Sequence, residues 1–114
     1  MHEMGVVYEL MNTLDSLKSE HGLSEIKSVT VGLGEASLVV PKYLTDCWEA
    51  ATSMDGPYKG VKLKINLIEA MGRCGKCDFI YPIVRNDRHC PKCHSDSFTL
   101  VDGEQIEIST IEAA

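Results

Sequence analysis

Between Val61-Lys-Leu-Lys-Ile-Asn-Leu67 and Ile106-Glu-Ile108, two segments that alternate apolar and polar residues, lie Cys74-Gly-Lys-Cys77 and Cys90-Pro-Lys-Cys93, with twelve residues separating the pairs. The alternating segments read as half-buried strands of one sheet, with Lys62, Lys64 and Asn66 on the wet face of the first. The cysteine pairs sit in an insertion of roughly 28 residues, 72–99, between those strands. So short an insertion cannot build a self-sufficient core and needs a metal or disulfides to hold it.

Working outward, Met4, Val7, Met11 and Leu14, with Leu10 and Leu17 beside them, recur at helical spacing against Glu9, Asn12, Asp15 and Lys18. The first helix should stop at His21-Gly22, where glycine suits a left-handed cap. Val29, Val31 and Leu33 then alternate as a strand. Pro41 opens a second helix whose Leu44, Cys47, Trp48 and Ala51 form one buried stripe, closed by Asp55-Gly56-Pro57. The expectation is an α/β, α+β-like fold: a small three-stranded sheet with two helices, residues 1–71 and 100–114, plus the inserted four-cysteine knuckle at 72–99.

Charge and composition narrow the function. Eleven basic against seventeen acidic side chains leave −6, and 44% hydrophobic residues suit one modest core. That balance argues against a nucleic-acid binder, which needs a basic stripe. No apolar run reaches membrane-spanning length, and Met1-His2-Glu3 does not begin like an export signal, so a cytoplasmic protein outside the membrane is expected. Five cysteines in such a chain then read as thiols rather than a disulfide framework. Two Cys-x-x-Cys turns present Cys74, Cys77, Cys90 and Cys93 as four thiolates, a set that suits tetrahedral zinc in a closed, structural site. A rubredoxin-type iron centre for electron transfer and a redox dithiol use the same ligands and stay open, as does a zinc-stapled protein-interaction module. His89 and His94 flank the second pair and read as neighbours of the thiolate cage, with exchange onto the metal as the sharper alternative.

Met1-His2-Glu3 holds a second donor set. The terminal amine, the amide nitrogen of residue 2 and the His2 imidazole can close fused chelate rings, and the Glu3 amide could add a fourth nitrogen. Near-planar nitrogen donors suit Ni(II) or Cu(II). Glu3 could also orient the imidazole through its carboxylate. On these residues alone the plainer reading is a solvated chain end.

Three features together carry a resemblance: Met-His-Glu at 1–3 leading straight into a helix, Gly34-Glu35 followed by Val39-Val40-Pro41 ahead of the second helix, and the paired knuckles between two strands. In these, over nearly its whole length, the chain resembles the hydrogenase maturation nickel metallochaperones of the HypA/HybF family. The resemblance implies a nickel-binding α/β domain with a zinc domain inserted into it. It implies nickel held by the terminal amine of Met1, by His2 and by local backbone nitrogens with Glu3 nearby, and zinc held by Cys74, Cys77, Cys90 and Cys93. It also implies delivery of nickel to the large subunit of nickel–iron hydrogenase with a partner GTPase, and service to urease maturation proteins in some organisms. Assembly as a homodimer is left open.

Other signals are discounted. Gly32-Leu-Gly34-Glu-Ala-Ser37 lacks the third glycine of a dinucleotide loop. Cys47 and Trp48 read as core residues. No nucleophile, base and orienter come together, so no enzyme is expected.

Overall fold

The computed structural model describes residues 3–114, in the order α1 (Glu3–His21), β1 (Ile26–Gly34), α2 (Pro41–Thr52), β2 (Lys62–Ile68), β3 (Met71–Cys74), β4 (Ile80–Pro82), β5 (Phe98–Asp102) and β6 (Ile106–Ala113). The expected two helices and three-stranded sheet are present, with strand order β2-β1-β6. β1 therefore separates the two alternating segments, which share a sheet without being neighbours. Its central place follows from its residues: Val29, Val31 and Leu33 are fully buried, whereas β2 and β6 stay half-wet along their length.

By contact the chain divides into two compact units. One joins residues 1–32, 38–66 and 107–114; the other joins 33–37 to 67–106. In the first, α1 buries Val6, Val7, Leu10 and Leu14, a stripe turned slightly from the predicted one, so that Met4 and Met11 are only half-buried. α1 ends as predicted, with Gly22 at φ +62°. α2 buries Leu44, Trp48 and Thr52. Trp48 is the expected anchor, its Nε1–H donating to the Val61 carbonyl at 2.8 Å. Cys47 is half-buried rather than core, because Thr52 completes the stripe and satisfies its own hydroxyl on the Trp48 carbonyl at 2.8 Å. Tyr58, from the loop after α2, turns back onto α1, its hydroxyl donating to the Asp15 carboxylate while Lys18 lies 5.4 Å over its ring.

The second unit contains a further three-stranded sheet, β4-β3-β5, that the sequence reading left out. β3 pairs antiparallel with both neighbours, Gly72 facing Tyr81 on one side and Leu100 on the other. A Cβ at Gly72 would strike the Ile83 side chain, so the glycine lets Ile83 close over the strand. Ala70, Cys74, Tyr81, Ile83 and Cys90 form the core of this unit, with Ala36, Phe98 and Leu100 packed against it.

Candidate metal centre

Two local turns of the same construction bring the four cysteines together. In the first, the Asp78 amide donates to the Cys74 carbonyl at 3.1 Å and the Cys74 amide to the Phe79 carbonyl at 2.9 Å. In the second, His94 donates to Cys90 at 2.8 Å and Cys90 to Ser95 at 2.9 Å. Asp78 and His94 both take positive φ, +63° and +64°, which reverses the chain one residue after each second cysteine. Lys76 and Lys92 then aim their amides at the Cys74 and Cys90 sulfurs, 3.4 Å away in each case. These amides come from the third residue of each motif. Gly75 instead makes room for Ser97, on whose carbonyl its amide rests at 2.8 Å.

The outcome is a compact cluster of four sulfurs. Cys74 Sγ lies 3.4 Å from Cys93 Sγ and Cys77 Sγ 3.6 Å from Cys90 Sγ, and all four lie within 4.8 Å of one another. Zinc–thiolate bonds of about 2.3 Å place tetrahedral sulfurs roughly 3.8 Å apart, so the set fits such an ion. The first cysteine of each pair is buried and the second exposed.

Electrostatics split the thiols the same way. The Cys77 and Lys76 amides and then the neighbouring sulfurs draw Cys74 down to about 6, against burial. At Cys77 the Phe79 amide also pulls down, but desolvation and the sulfurs of Cys90, Cys74 and Cys93 together push the thiol up to about 12. Burial opposes ionisation at Cys90, yet the Cys93 and Lys92 amides bring it below the ordinary thiol range. At Cys93 the Ser95 amide is outweighed by the Cys74 sulfur and desolvation, and the thiol rises. Four sulfurs so close cannot all ionise by themselves; a divalent cation would supply the charge that lets the last two protons leave.

The flanking histidines stand outside this cluster. Both are exposed, and His89 Nδ1 sits 2.8 Å from the Asp87 carbonyl. Among the described residues, the four cysteines alone form a metal-holding group, and Cys47 is not part of it.

The predicted nickel residues fall partly outside the described residues, which exclude Met1 and His2. Glu3 opens α1, and its Oε1 accepts from the Val40 amide at 3.4 Å. Val40 is the N-cap of α2 and has no side-chain cap of its own. The Val39-Val40-Pro41 segment thus meets the start of α1 through Glu3.

The Gly34-Glu35 pair has a structural account that sequence reasoning missed. The amides of Gly34, Glu35 and Ala36 donate to the carbonyls of Gln105, Ile68 and Gly103, and the Glu35 carboxylate accepts from Ala70 at 3.1 Å. Gly34 and Gly103 are in backbone contact that a Cβ on Gly34 would block. With its amides so engaged, this loop cradles no phosphate. No helix among the described residues is long and apolar enough to cross a membrane.

Comparison with known families matches residues 1–113 to HypA, described as hydrogenase/urease nickel incorporation, metallochaperone. The hydrogenase maturation factor HypA of Geobacter sulfurreducens is 30% identical over 112 residues, covering 98% of each chain. Its counterpart in Chlorobium limicola is 29% identical over 111 residues, covering 97% of this chain and 95% of the relative. The solution structure of the Ni metallochaperone HypA from Helicobacter pylori superposes with a TM-score of 0.73 at 24% identity, covering 99% of this chain and 97% of that one, a likeness of fold.

Proposed function

The chain belongs to the HypA family of hydrogenase/urease nickel-incorporation metallochaperones, non-enzymatic maturation factors, and on that premise we propose that it takes up Ni(II) at its amino-terminal end and hands it on during maturation of nickel–iron hydrogenase in the cytoplasm. The observation that carries this is the family match running from residue 1, through Met1-His2-Glu3, together with the four-sulfur cluster. Nickel is the cargo, held by the Met1 amine, His2 and adjacent backbone nitrogens, with Glu3 beside them. Zinc is the resident ion, held by Cys74, Cys77, Cys90 and Cys93 in a closed structural site.

The chain's own residues divide the work. The knuckle amides stabilise thiolate at Cys74 and Cys90, so the cluster is poised to keep its metal. The Glu3 carboxylate joins the start of α1 to the N-cap residue of α2 through the Val40 amide. Release requires that such a contact beside the cargo open at little cost. A partner maturation GTPase and the hydrogenase large subunit are the proposed recipients, with urease maturation proteins a further one.

Nickel titration of untagged, zinc-loaded protein at neutral pH tests this. The expected result is specific nickel binding with a planar-type d–d band, lost in His2→Ala and in a chain extended ahead of Met1, while zinc content stays unchanged. Nickel bound equally well by His2→Ala would refute the assigned donors.

A further inference from the structure

β2 is an edge strand of the β2-β1-β6 sheet, and it concentrates positive charge in an acidic chain. From Pro57 to Ile68 there are three lysines and no acidic residue. Lys59 is paired with Asp55 at 2.8 Å, but Lys62 and Lys64 are exposed and have no carboxylate partner among the described residues. Being two apart on a strand, they share one face, while Leu63 and Ile65 turn to the other. Beside the strand, against α2, lies an open groove of about 430 Å³. Trp48 floors it, Val61, Lys62 and Leu63 line its strand side, and Thr45, Glu49 and Thr52 line its helix side, so the seat itself suits an uncharged side chain.

We propose that the outer edge of β2 is a docking strand for an extended acidic segment of another protein, of the pattern glutamate–apolar–glutamate. The reading is independent of where nickel binds. An added strand would satisfy the edge's backbone groups. Its two carboxylates would lie across from Lys62 and Lys64, the cross-strand arrangement that favours opposite charges. The apolar residue between them points to the opposite face and enters the groove over Trp48. Lysines on an edge also guard against self-pairing, since a second β2 would set lysine opposite lysine. The same two residues therefore reject a copy and accept an acidic strand. The groove separates this from simple edge protection, which needs no seat for a side chain.

The test uses the full zinc-loaded chain and a Glu-Val-Glu-Val-Glu-amide peptide carrying fluorescein on its terminal amine, followed by anisotropy. Saturable binding is expected, with amide shifts at 61–66, and it should weaken at least about tenfold in Lys62→Glu/Lys64→Glu and fall with added salt. A lysine-for-glutamate peptide should bind that double variant better than the parent chain. A peptide N-methylated at alternate residues keeps its charge and loses its strand hydrogen bonds. Equal binding of that peptide would reduce the effect to charge attraction and overturn the proposal. So would absence of saturation up to millimolar peptide, or shifts confined to β6. If the double variant fails to fold, the N-methylated peptide on the parent chain decides alone.

Discussion

Each knuckle around the four sulfurs is closed by two backbone hydrogen bonds with its first cysteine buried, whereas at Glu3, the first described residue of α1, it is a side chain that reaches out, its carboxylate accepting from the Val40 amide at 3.4 Å. The first arrangement is ordered by backbone: the Lys76 and Lys92 amides point at the Cys74 and Cys90 sulfurs. The second is a longer hydrogen bond from a backbone amide to a side chain. On the proposed function, a protein that keeps one metal and surrenders another gains from putting them in such different settings. Rigidity then belongs where the ion stays, and a contact that can open belongs near where it leaves.

The largest effect that could break this contrast comes from the sulfurs. Cys74→Ser should drop zinc from about one per chain to a small fraction and unfold the 67–106 unit, since binding a structural zinc supplies folding free energy. Trp48, buried in the other unit, reports whether the loss stays local: its fluorescence should hold while amide signals of β3, β4 and β5 collapse. The thiol split adds a pH signature. Cys77 and Cys93 are raised, so uptake near neutrality must displace at least their two protons, and affinity rises with pH. Below about 6, Cys74 also takes a proton and the fall steepens. Calorimetry in buffers of different ionisation enthalpy counts the protons.

Next in size is the backbone that frames the second unit. In Gly34→Ala the new Cβ overlaps the Gly103 carbonyl, and Gly103→Ala combines φ +98° with Ala70 Cα only 2.5 Å from the added carbon. Each should lower stability by about 3 kcal/mol, measured by denaturant unfolding, with zinc still bound. Metal loss in either variant would show that the cluster borrows its rigidity from this glycine contact.

Much of the first unit was legible because its elements are long and periodic. The helical spacing of α1, the Gly22 stop, the strand through Val29 and Val31 and the Trp48 anchor follow from spacing alone, whereas the buried stripe of α1 is turned to take in Val6 and leave Met4 and Met11 half-buried. The second unit resisted for a physical reason. β3 and β4 span only Met71–Cys74 and Ile80–Pro82, too short to alternate, and their register comes from the knuckle turns and the fit of Ile83 over Gly72. In β2 the alternation fails after Asn66, where Leu67 is 67% exposed, because hydropathy does not say where a strand leaves its core. The four cysteines were plain from spacing. The division of labour among them, buried against exposed and lowered against raised, depends on amides that no sequence motif names.

A smaller effect sharpens the account of the first unit. Tyr58→Phe removes the hydrogen bond to Asp15 and should lower stability by about 1 kcal/mol. Desolvation, the hydrogen bond to Asp15 and its charge hold the Tyr58 hydroxyl well above the ordinary phenol range. With the folded value raised, this stabilisation is complete below the unfolded phenol value near 10 and fades as pH climbs beyond it. The parent chain should lose stability above about pH 10 more steeply than Tyr58→Phe in pH-dependent urea unfolding.

The smallest expected change bears most directly on the cargo end. Glu3→Ala removes an exposed acceptor from the Val40 amide and an acidic residue from the first turn of α1, so the loss should be about 0.5 kcal/mol. Glu3→Gln keeps an acceptor oxygen and should retain part of it. If nickel is bound through nitrogens, both variants keep those atoms and should keep the planar-type band, with faster release from the alanine variant as its helix end loosens. Stopped-flow transfer to a chelator measures that rate. A band lost in both variants would make the carboxylate a direct ligand, and its hydrogen bond to the Val40 amide would then be the contact that cargo must break.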